Sequence, residues 1–62
     1  MKKFETKYPI SEYGWVSVEI KKDKPTTGDI VTDMYNIQHV VLDVAPFAKR
    51  YNGATFVRVK LL

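Results

Sequence analysis

Asp43-Val44-Ala45-Pro46-Phe47-Ala48-Lys49-Arg50-Tyr51-Asn52-Gly53 is the stretch on which the fold turns, because its residues support two incompatible structures. Asn52-Gly53 between apolar segments is the signature of a type I′ β-hairpin, whose two central residues both need positive φ. The same stretch puts Val44, Phe47, Ala48 and Tyr51 at i, i+3, i+4 and i+7, one face of a short helix. On that reading Asp43 is the N-cap, and Pro46 falls in the first turn, where its missing N–H does no harm. Lys49 and Arg50 then sit at the negative end of the helix dipole, and Gly53 supplies the left-handed residue beyond the last turn. These local signals agree with one another and predict a helix over residues 43–52, with the hairpin as the alternative.

Outward from this stretch the signals are those of strands. Thr55 to Leu62 alternates, with Val57, Val59 and Leu61 on one face and Phe56, Arg58, Lys60 and Leu62 on the other. Trp15 to Lys22 is the clearest strand, with Val16, Val18 and Ile20 alternating against Trp15, Ser17 and Glu19. Residues 3–8 read as an edge strand with one charged face, stopped by Pro9, which cannot donate to a ladder. Ser11 to Gly14 carries turn chemistry, and Lys21 to Gly28 is a polar loop punctuated by Pro25 and Gly28. Ile30 to Leu42 has a helical stripe (Ile30, Met34, Ile37, Val41), but six of its thirteen residues are β-branched. It reads as one long bent strand or two short ones broken near Asn36, with Val40-Val41-Leu42 as its buried end.

The resulting order, β-β-β(β)-α-β, predicts one mainly β domain (a small α+β fold) spanning residues 1–62. Its expected architecture is an antiparallel sheet or small, partly open barrel with one short helix near residues 43–52. Sixty-two residues bury only roughly 60% of the surface that the unfolded chain exposes, so stability should be modest. There is no cysteine, which excludes disulfides and thiolate-held zinc, and a single histidine, His39, forms no cluster. A 45% hydrophobic content with four Tyr, three Phe and one Trp is that of a globular chain. No apolar run approaches the ~20 residues that cross a bilayer, and no apolar segment follows the basic N-terminal residues. A cytoplasmic location without membrane association is the expectation.

No catalytic set is legible. There is no thiol, and no Ser-His-acid arrangement. His39 reads as a partly buried or surface histidine. Asp29 reads as a turn residue or the start of a strand, and Asp43 as a cap. The acids match no calcium-loop spacing, and the three isolated glycines form no phosphate cradle. No enzyme activity, metal or cofactor is therefore expected.

What remains is an aromatic and basic pattern. If Val57, Val59 and Leu61 face the core, then Phe56, Arg58 and Lys60 share the outer face of the last strand. Trp15 lies on the outer face of the second strand by the same alternation, and Lys21, Lys22 and Lys24 follow it. Rings beside cations on a sheet stack bases while neutralising phosphates, and the net charge of +3 favours acidic partners. The expectation is a binding module for nucleic acid of low sequence selectivity, contacted by Trp15, Lys21, Lys22, Lys24, Phe56, Arg58 and Lys60. The alternative is a protein-interaction module, a small regulator or inhibitor of a larger protein. It would use the same aromatic patch, or an unpaired final strand joining a partner's sheet or a second copy of the chain.

Overall fold

The computed structural model describes residues 1–62 and consists of strands and turns, without a helix. The strands are β1 (Lys3–Glu5), β2 (Trp15–Ile20), β3 (Ile30–Thr32), β4 (Gln38–Tyr51) and β5 (Ala54–Leu61). They form a single sheet in the order β1-β3-β4-β5-β2. The β3–β4, β4–β5 and β2–β5 pairs are antiparallel, but β1 runs parallel to β3, so the sheet is mixed and not wholly antiparallel as expected.

The helix predicted over residues 43–52 is not formed: those residues are the second half of β4 and the turn that follows. Asn52 and Gly53 both have positive φ, 50° and 78°, as a type I′ turn requires. The turn sets the register Tyr51↔Ala54, Arg50↔Thr55, Lys49↔Phe56 and Ala48↔Val57. A lone helix of about ten residues is marginal in water. Pairing with β5, whose valines need a second strand beside them, outweighs it. Pro46 sits where Ala45, Pro46 and Phe47 oppose Arg58 alone, between the pairs Val44↔Val59 and Ala48↔Val57. The ladder is already broken there, so the missing N–H costs nothing. Leu42 is a second extra residue, between Val41↔Leu61 and Asp43↔Lys60. Such bulges bend a strand and increase its twist. They let the 14-residue β4 pair with β3 at one end and β5 over the rest.

Residues 30–42 are two strands, not one. The break is a turn closed by Asp33 N–H to Ile37 O (2.9 Å) and Asn36 N–H to Asp33 O (3.0 Å), with Asn36 left-handed at φ 65°. Of Val40-Val41-Leu42 only Val41 is buried, because neighbours in a strand point to opposite faces.

The inner face carries Val16, Val18, Val31, Val41, Val57, Val59 and Leu61, packed by Phe4, Ile10, Ile20, Val44 and Ala45. Two polar groups are buried with it. Asp29 accepts from the Lys2 N–H (2.9 Å), the Thr26 N–H (2.8 Å) and the Thr26 hydroxyl (3.0 Å), tying the N-terminus and the loop before β3 together. Thr6 fastens the sheet across its open side. Its N–H donates to Thr32 O on β3 (3.0 Å), and its hydroxyl donates to Ser17 O on β2, at the other edge of the sheet (2.8 Å).

Candidate nucleic-acid interface

The outer face of β2, β5 and β4 is set by the registers that bury the valines. With Val16 facing Val59 and Val18 facing Val57 inside, Trp15 faces Lys60, Ser17 faces Arg58 and Glu19 faces Phe56 outside. On the other side of β5, Asp43 faces Lys60 and Lys49 faces Phe56, with Tyr51 two residues beyond Lys49 on the same face. Gly14 delivers the chain to Trp15 close against β5. It is left-handed (φ 80°), and a Cβ there would lie 3.0 Å from Leu61 O.

A groove of about 370 Å³ runs over this face, with Tyr8, Trp15, Lys49, Tyr51, Phe56 and Arg58 among its walls. Trp15 and Phe56 are half-buried, and both line the groove. The Arg58 guanidinium lies over the Trp15 ring, 6.0 Å from its centroid, a cation–π placement that holds the charge beside the ring. Tyr8 meets Phe56 edge to face, with centroids 5.7 Å apart and planes at 82°. Tyr8 reaches this position through Thr6, whose hydroxyl oxygen accepts the Tyr8 N–H (3.2 Å). No carboxylate lines the groove.

Of the residues expected from sequence, Trp15, Phe56 and Arg58 come together in the groove, and Lys60 stands beside it opposite Trp15. Lys21 and Lys22 instead line a second, larger cleft of about 720 Å³. Lys24 lines neither; its carbonyl accepts a hydrogen bond from Lys2 Nζ (2.8 Å). Tyr8, Lys49 and Tyr51 were not anticipated. The Asn52-Gly53 turn carried the signal for two of them, since a two-residue hairpin puts Lys49 opposite Phe56.

His39 and Asp33 make the only ion pair in the molecule, Nε2 to Oδ2 at 2.9 Å. Both ring nitrogens face acceptors, because Nδ1 lies 3.3 Å from Leu62 O. The doubly protonated imidazolium satisfies both, with the Asp33 bond the larger influence, and the His39 pKa is raised above its ordinary 6.5. Asp33 is lowered from 3.8, first by His39 and then by the Ile37 N–H. Asp29 is likewise lowered, chiefly by the backbone N–H groups of Lys2 and Thr26. Every polar partner of this pair is spent on holding a turn and the last residue of the chain. No three His, Cys, Asp or Glu side chains converge in a way that could hold a metal ion.

Comparison with protein families, with curated proteins and with solved structures finds no match to this chain. No helix is long and apolar enough to cross a membrane.

Proposed function

We propose that this chain is a small, non-enzymatic binding module that takes single-stranded nucleic acid, with little sequence preference, in the groove over β2, β5 and β4. One observation carries the reading: four aromatic rings and two cations line a single groove that contains no carboxylate. Stacking on a ring contributes about 1–3 kcal/mol per base and is indifferent to sequence, because every base has a π-face. Arg58 and Lys49, with Lys60 alongside, neutralise phosphates and release counterions. A cysteine-free module of this kind suits the cytoplasm, where its ligand is found.

The test is a titration with single- and double-stranded oligonucleotides, followed by Trp15 fluorescence at low and physiological salt and checked by gel shift. Saturable binding that weakens steeply with salt is expected. Phe56→Ala should weaken every sequence alike. Arg58→Ala and Lys49→Ala should each reduce the slope of log K against log salt by about 1. Absence of binding by both methods at low salt would remove the reading.

A protein partner is the second reading, favoured by the exposure of Phe47 and Tyr51, at 80% and 70%, on β4. It predicts weak salt dependence and a dominant loss on substitution of an aromatic anchor. It does not use β5 as an added strand, since β5 is flanked by β4 and β2.

A further inference from the structure

We infer that the bound strand does not end in the aromatic groove but crosses the Tyr8–Phe56 pair into the second cleft, so that the site takes a run of about four nucleotides rather than one or two bases. This rests on the nucleic-acid reading.

The two clefts adjoin, because Tyr8, Ser17 and Phe56 line both. The edge-to-face contact of Tyr8 with Phe56 therefore forms a ridge between them. Beyond the ridge the character changes from rings to charge: Lys2, Lys3, Lys7, Lys21 and Lys22 line the larger cleft. Its acids are Glu5, Glu19, Asp23 and Asp33. None of the five lysines is ion-paired with them, since His39–Asp33 is the only ion pair, and that pair also engages Asp33. Lys2 Nζ is engaged by the Lys24 carbonyl. Lys3, Lys7, Lys21 and Lys22 have no acidic partner, and these four still outnumber Glu5, Glu19 and Asp23, the acids left to oppose them.

A ligand with bases alone would be served by the first groove. A ligand with charge alone would have no use for its rings. A single strand has both along its length, with bases to stack at Trp15, Tyr51 and Phe56 and phosphates to continue past Lys21 and Lys22. The molecule is 27 Å in its longest dimension, which suits the low end of the roughly 4–16 nucleotides that small β domains cover.

The experiment titrates the whole chain with oligothymidylates of about two, four and eight nucleotides, comparing the natural protein with a Lys21→Ala/Lys22→Ala double variant. Both lysines are exposed loop residues, and circular dichroism confirms that the variant is folded. Affinity should rise from the shortest oligomer to the middle one and then level off. The double variant should lose about tenfold on the longer oligomers, as expected for two phosphate contacts, and nothing on the shortest. Length-independent binding, or an equal loss at every length, overturns the two-cleft path while leaving the groove as a binding site. Failure of every oligomer to bind overturns the nucleic-acid reading itself and this inference with it. A poly-glutamate peptide that binds as tightly as the longest oligomer points to an acidic protein as the ligand and overturns both.

Discussion

Asp33 takes three hydrogen bonds on two oxygens. Oδ1 accepts the N–H groups of Tyr35 (2.8 Å) and Ile37 (3.0 Å), and Oδ2 faces His39. One side chain therefore shapes the turn between β3 and β4 and anchors it to the ring that reaches Leu62. The pair has a definite pH signature. His39 binds its proton more tightly folded than unfolded, so its contribution is complete below pH 6.5 and is lost as pH rises through the raised folded value. Asp33 shifts the other way: its contribution is complete above pH 3.8 and is lost as pH falls through the lowered folded value. Both act in full between 3.8 and 6.5. Urea unfolding should show a lower midpoint at about pH 8 than at about pH 6, and His39→Gln should flatten that difference. An unchanged pH dependence in the variant would show that the pair is inert.

At the scale of elements, the β4–β5 hairpin supplies both the site and the fold. Gly53→Ala puts a Cβ on a residue at φ 78°, with open space around it, so the cost is conformational alone. About 1–2 kcal/mol is expected, read as a fall in melting temperature of roughly 4–8 °C per kcal/mol for a domain of this size. A loss much smaller than this would mean that the turn readjusts. This hairpin also marks the limit of what the sequence revealed. The alternation of β2 and β5 was legible because each has one buried face, and with it the placement of Trp15, Phe56, Arg58 and Lys60 on the outer one. Residues 43–51 were not legible. Two bulges displace β4 from a period of two, and the displaced residues happen to fall on a helical stripe: of its four members only Val44 is half-buried, while Phe47, Ala48 and Tyr51 are exposed to solvent. Choosing between helix and hairpin depended on a partner strand, which local spacing does not contain. The parallel pairing of β1 and the arrival of Tyr8 over Phe56 depend on contacts far apart in the chain, and no local pattern encodes them.

At the scale of the molecule, a core of six valines and one leucine is thin, so single polar links carry weight. Thr6, the residue after β1, is buried and bonds both to β3, beside one edge of the order β1-β3-β4-β5-β2, and to β2, the strand at the other edge. Thr6→Val keeps the shape and removes the hydroxyl, leaving Ser17 O without this donor and the Tyr8 N–H without this acceptor. A loss of about 1–2 kcal/mol is expected in chemical denaturation. Oligonucleotide affinity should also fall, because Tyr8 is no longer held over the groove. A variant equally stable and equally active would show that the sheet closes without this link.

The strand order has a consequence for how the chain is made. β3, β4 and β5 are joined by short turns and pair in succession, while β1 and β2 pair only with strands synthesised after them. Val16 and Val18, on β2, find Val59 and Val57 on the last strand. On a ribosome that adds about 5–20 residues per second, the first half of the protein waits, its apolar side chains in water, until β5 has emerged. Nascent β2 is therefore the segment most in need of a chaperone, and the emergence of β5 is the event that lets the sheet close.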